Sequence, residues 1–150
     1  MSVQLRAPDL SDDAYTSLAE TRRLLRRIHA FSERAAEAVG LRPRQYQLLL
    51  MLRGLATDRD ASVSDLAEWL QVRHHTAVGL VDRMVSRGLL ERQSDPLDGR
   101  RVLVTLTDRG RMALSGLAVQ HRDELRALAP SLVHALQHVL EAGRTPILES

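Results

Sequence analysis

Cysteine is absent from the 150 residues, which removes disulfides, thiolate metal sites and any cysteine-based peroxide sensor from consideration. Lysine is absent too: all 21 basic side chains are arginine, a bias that codon usage in the host explains as readily as function. Aromatic residues are scarce, with only Tyr15, Phe31, Tyr46 and Trp69, so a pocket walled by aromatic rings is not guaranteed. No apolar run approaches the roughly 20 residues that a membrane span needs. The first residues carry no charged-then-apolar signal pattern, so a cytoplasmic chain with no membrane partner is expected. Enzyme signatures are missing as well, with neither a GxSxG elbow nor a phosphate-binding loop, so neither catalysis nor a cofactor is expected. His134 and His138 stand at i, i+4 and could share a metal with His121 and Glu124 on the preceding helix. No dense ligand spacing such as HExxH supports the metal, and solvent-facing histidines are the expectation.

What remains is a globular composition, 44% hydrophobic and 27% charged, long enough for one real core with helices to spare at both ends. The net charge is only +2, so its distribution matters more than its sum. Residues 41–111 hold twelve arginines against nine acids, residues 1–40 six against six, and residues 112–150 three against four. The positive excess is central.

The central stretch Ser62–Gly110, SVSDLAEWLQVRHHTAVGLVDRMVSRGLLERQSDPLDGRRVLVTLTDRG, holds two helical patterns three or four residues apart, then two short β-type runs around an arginine-rich loop. Ser62 with Asp65 resembles a capping box that starts the first helix, with Leu66, Ala67 and Leu70 inward. The second helix is expected over His74–Ser86: Ala77, Val81 and Met84 form one apolar stripe, widened by Leu80 and Val85. Its opposite face carries Arg73, Thr76 and Arg83, with His74 and His75 in the first turn. Such a face donates to base edges and phosphates, and Asp82 is the one acid near it. Val78 and Gly79 leave its middle poor in donors. Leu89–Gln93 and Val102–Leu106 are the expected strands, joined by SDPLDGRR, in which Pro96 and Gly99 turn the chain and Arg100 and Arg101 stand at the tip.

In DLAEWLQV, TAVGLVDRMVSRGLLER, DPLDGRRVLV and LTDRG, in that order and spacing, the chain resembles the MarR family of bacterial transcription regulators. The family's Asp-x-Arg wing signature is matched by Asp98-Gly99-Arg100. Two positions depart from the family's habit: Arg42 stands before Pro43 where Thr or Ser is common, and His75 stands where a small hydroxyl residue often opens the reading helix. The resemblance implies a mainly α winged helix-turn-helix fold with a small β-wing, plus terminal helices that form a dimerisation region. It implies double-stranded DNA as partner, a homodimer on a pseudo-palindromic operator, repression of transcription, and a small aromatic or anionic effector. Arg73, His74, His75, Thr76, Gly79 and Arg83 would form the reading face and Asp98, Arg100 and Arg101 the wing, with Arg100 in the minor groove and Arg101 nearer the phosphates. The competing reading is a winged helix that binds protein and not DNA, since fold alone does not fix function.

The flanks supply the rest. Ser11 can cap a helix whose first turn carries Asp12 and Asp13 and which runs to about Val39, with Leu24, Ile28, Phe31 and Ala35 on one face. Pro43 suits the first turn of a second helix reaching Arg53, with Tyr46, Leu49 and Leu50 inward; Leu55–Ala61 is then a polar loop. Thr107 and Asp108 cap a long helix with Leu114, Ala118, His121, Leu125 and Leu128 at helical spacing. Pro130 is expected to break it and start a last helix to about Ala142, striped by Leu132, Leu136, Val139 and Leu140. The terminal stripes, Leu24, Ile28 and Phe31 with Leu132, Leu136 and Val139, exceed what the central module can cover and are the candidate dimer interface. The division expected is a dimerisation region over 1–40 and 111–150 and a DNA-binding domain over 41–110.

Overall fold

In the computed structural model, residues 10–55 and 60–142 are described. Helix α1 (Asp12–Ala38) begins where Ser11 Oγ accepts the Ala14 N–H, and Asp12 and Asp13 sit at its positive end. Gly40, at φ 73°, ends the turn after it. Helix α2 (Pro43–Gly54) has proline in its first turn, and Gln45 Oε1 accepts the Arg42 N–H there. The arginine before Pro43 therefore supplies no side-chain cap, and Gln45 provides the contact from inside the helix.

Strand β1 (Ala61–Ser62), helices α3 (Val63–Trp69) and α4 (His74–Ser86), and strands β2 (Leu90–Ser94) and β3 (Val102–Leu106) follow. The sheet is antiparallel in the order β1-β3-β2, with Leu90 opposite Leu106, Arg92 opposite Val104, and Ala61 also opposite Val104. Helix α5 (Asp108–Glu141) completes the described chain. This is the mainly α winged helix arrangement expected from the sequence.

The described residues fall into two compact units, one within 31–122 and one within 1–30 and 123–150. In the first, Leu48, Leu49, Leu66, Val81, Met84, Leu90 and Val104 are nearly inaccessible to solvent and pack as one core. Burying side chains of that size contributes about 1.5–3 kcal/mol each, and that contribution holds a seven-residue helix such as α3, too short to persist alone. In the second unit Leu24, Leu128 and Ala135 form a smaller cluster bordered by Ile28 and Leu132, and Arg27 lies 3.6 Å from Glu124.

Four expectations are corrected. Pro130 does not break α5, which runs through it for 34 residues. Proline removes one helical donor at a cost of about 3 kcal/mol in a helix interior. Here it is exposed, and Leu128 and Ala135 pack against Leu24 on either side of it. Leu50 is exposed and Leu48 takes the inward place on α2, while on α5 Leu125 is exposed and Leu117 is buried. The supposed loop ends in β1, which exists because β3 has a second edge to pair. Leu24 of the candidate dimer stripe is spent on the core of its own unit, whereas Leu136 remains 44% exposed.

Candidate nucleic-acid interface

The capping box expected at Ser62 is present. Its Oγ accepts the Asp65 N–H at 3.3 Å, and Asp65 Oδ2 accepts the Ser62 N–H at 2.7 Å. The Asp65 carboxyl is held below its ordinary pKa, chiefly by that backbone donor, with help from the Ser62 hydroxyl and Arg101 and against the effect of partial burial. Between α3 and α4 the chain reverses through Gln71, a non-glycine residue at φ 52°. The Val72 N–H bonds back to Ala67 O at 3.0 Å, so backbone hydrogen bonds close the end of the supporting helix.

Helix α4 buries Ala77, Leu80, Val81 and Met84. That orientation leaves Arg73, His74, His75 and Arg83 exposed and Thr76 and Gly79 half-buried. Arg73 occupies the N-cap position without a side-chain cap bond. A methyl group on Gly79 would lie 3.5 Å from Arg83 Nη1, an ordinary contact, so the guanidinium runs alongside the donor-poor middle of the face. His74 Nδ1 is 3.5 Å from Ser64 Oγ. The single acid of this helix, Asp82, is ion-paired with Arg92 of β2. That partner was not legible from helical periodicity because it comes from the next element.

The wing is organised by its acids. Asp95 N–H donates to Arg101 O and Arg101 N–H to Asp98 O, both at 2.9 Å. Asp95 Oδ1 accepts from Leu97 N–H at 2.8 Å and Asp98 Oδ1 from Arg100 N–H at 3.1 Å. The Asp98 carboxylate thus holds the wing backbone. Arg100 is exposed and has no ion pair among the described residues. Arg101 is engaged within the protein itself: its Nη2 lies 2.8 Å from Asp65 Oδ2 and its Nη1 3.9 Å from Asp95. The carboxylates within reach captured it, and Asp65 was missed as a site residue because it stands 36 positions away. A groove of about 660 Å³ brings His74 and Val78 of α4 together with Asp65, Arg92, Arg100 and Arg101. Another cleft of about 620 Å³ is lined by Glu33, Arg42, Pro43, Arg44, Gln45, Leu80 and Arg83.

The histidines divide. His134 and His138 are exposed, their rings 4.4 Å apart between centroids. His121 is not solvent-facing as expected: it is half-buried, with Nδ1 2.7 Å from the Tyr46 hydroxyl and Nε2 3.0 Å from Ser32 Oγ. Burial raises the Tyr46 pKa above its ordinary value. Among the described residues no group of three or more His, Asp or Glu is placed to hold a metal ion, and no helix is long and apolar enough to cross a membrane.

Comparison with known proteins gives a consistent set of likenesses. The MarR family pattern matches residues 39–101. Over 91 residues, 61% of this chain, the sequence is 36% identical to the transcriptional activatory protein BadR of Rhodopseudomonas palustris. That stretch spans about half, 52%, of the relative's own length. A probable transcriptional regulator from Pseudomonas aeruginosa is 30% identical, with 80% of this chain and 90% of that one covered and a TM-score of 0.61. A mutant MepR of Staphylococcus aureus bound to an oligodeoxyribonucleotide shares the fold at 20% identity, covering 85% of this chain and 91% of that one, with a TM-score of 0.62.

Proposed function

Because the chain belongs to the MarR family of transcription regulators, we propose that it binds double-stranded DNA as a homodimer on a pseudo-palindromic operator and represses transcription by occupying it. Helix α4 lies in the major groove and the wing reaches the adjacent minor groove. The observation that carries this reading is a sorting of charge. The acids beside the reading face, Asp82 and Asp65, are paired with Arg92 and Arg101, while Arg73, Arg83 and Arg100 have no ion pair among the described residues. A surface that neutralises its acids internally and leaves guanidinium groups to solvent is suited to a polyanion. Bases are read from the first turn by His75 and Thr76, and Arg83 meets phosphate. BadR is named for activation; repression follows here where the operator overlaps a promoter.

The dimer is proposed over 1–40 and 111–150 and the DNA contact over 41–110. Leu136 and Leu140, 44% and 75% exposed, are apolar side chains that a second copy would cover. A small aromatic or anionic effector belongs to the same proposal. The cleft beside Arg42, Arg44 and Arg83, floored by Leu80 and Pro43, offers an anion both charge and apolar contact, and an occupant there would lie against the reading helix.

The test is a fluorescence titration of labelled genomic fragments across salt concentrations. Arg100→Ala is expected to weaken binding and to lower the salt slope by about one, the value for one lost charge contact. A wild-type protein that binds no fragment at low salt would favour the protein-interaction module instead.

A further inference from the structure

Asp65 is an acid on the side of the molecule that meets DNA in the proposed function, where a free carboxylate would repel phosphate. It is also a heavily engaged carboxylate. Its Oδ2 accepts the Ser62 N–H at 2.7 Å, the Ser62 hydroxyl at 2.7 Å and the Arg101 guanidinium at 2.8 Å. Two of these contacts lie within the α3 cap, so the carboxylate cannot swing away without uncapping the helix. The third crosses to the wing.

We propose that Asp65 is a positioning residue for DNA binding: anchored in the α3 cap, it clamps the Arg101 guanidinium and so fixes the hairpin that presents Arg100. The inference rests on the DNA-binding reading of this surface and assigns the two neighbouring arginines different work. Arg101 is tied at both backbone groups, its N–H to Asp98 O and its carbonyl to Asp95 N–H, each at 2.9 Å. Its side chain is tied to Asp65 and lies near Asp95. Arg100, one residue earlier, is bound among the described residues only through its N–H to Asp98 Oδ1. With the clamp closed, the hairpin keeps one orientation relative to α3 and hence to the reading helix packed on it. The ordering that binding would otherwise require is then already done in the free protein. The pair is partly exposed, its side chains 44% and 35% accessible, so its effect is modest: about two- to fivefold in affinity.

Asp65→Asn, Arg101→Gln and the double variant separate the possibilities, since asparagine still accepts the Ser62 N–H and keeps the cap. Two measurements are made on the full chain: affinity for genomic DNA fragments across salt concentrations, and amide hydrogen exchange at residues 95–101 without DNA. Each single variant is expected to bind about two- to fivefold more weakly at unchanged salt slope. The double variant should be no weaker than the worse single. All three should exchange the Asp95 and Arg101 N–H groups faster, with little change in Tm. Tighter binding by Asp65→Asn would mean that the carboxylate merely repels DNA and would overturn the clamp. A salt slope lowered by about one in Arg101→Gln would return that side chain to the phosphates and overturn it as well, as would unchanged exchange rates. Wild-type protein that binds no fragment would defeat the DNA reading itself, a distinct result, while exchange still decides whether the clamp exists.

Discussion

Gly110, in the first turn of α5, is where the helix presses on the base of the wing. A Cβ placed there would lie 2.1 Å from the Leu89 carbonyl oxygen, 3.1 Å from its carbon and 3.3 Å from Leu106 Cδ2. Ordinary contact starts at 3.4 Å, so the methyl group of Gly110→Ala must move backbone by more than 1 Å and cannot be relieved by a rotamer. Overpacking of this kind costs about 1–3 kcal/mol. The same carbonyl accepts the Thr107 N–H at 3.2 Å, a hydrogen bond worth about 1 kcal/mol that the shift would strain. Against this, alanine in a helix gains about 1 kcal/mol over glycine. The balance is a loss of about 2 kcal/mol. Gly116 of the same helix is the control: nothing lies within 4 Å of its Cβ position, so Gly116→Ala should gain about 0.5–1 kcal/mol from propensity alone. Urea unfolding at one fixed protein concentration measures both. If Gly110→Ala is as stable as wild type, or as Gly116→Ala, the close approach of α5 to Leu89 is not as described.

His75→Ala and Thr76→Ala should each change which operator variants are preferred, by about 1–3 kcal/mol per lost base contact; identical preference profiles would remove the first turn of α4 from base reading. Leu136→Glu should raise the dimer dissociation constant about tenfold or more, seen by sedimentation equilibrium. Wild-type protein that sediments as a monomer at micromolar concentration would end the dimer proposal.

Local signals in the chain were legible and long-range pairings were not. Helix α4 runs from His74 to Ser86 as its apolar stripe predicts, because burial of one face every 3.6 residues is written in the sequence. The caps at Ser11, Ser62 and Thr107 are equally local: Thr107 Oγ1 accepts the Gly110 N–H at 3.0 Å. Strand β1 escaped notice because two residues carry no alternation. The spacing puts Leu50 inward because leucine fits either flank of a stripe, and the packing of the neighbouring elements decides which flank is covered. Propensity alone stops a helix at Pro130, and packing on both sides overrides it. The partners that set the charge of the site, Arg92 for Asp82 and Arg101 for Asp65, lie 10 and 36 positions away. No spacing rule connects a helix to a hairpin tip, so Arg101 looked free. The hydrogen bond that draws His121 away from solvent is equally non-local, since Tyr46 lies 75 positions away.

Selection of bound fragments from genomic DNA at moderate salt, followed by footprinting of the enriched sites, tests most directly whether α4 and the wing read an operator. The account predicts enrichment of an inverted repeat whose half-site centres lie about one helical turn, roughly 34–36 Å, apart. Protection should fall in two major grooves, with an A·T-rich minor groove beside each where Arg100 enters. Enrichment of no sequence over the input, with binding equally weak to every fragment, would contradict it.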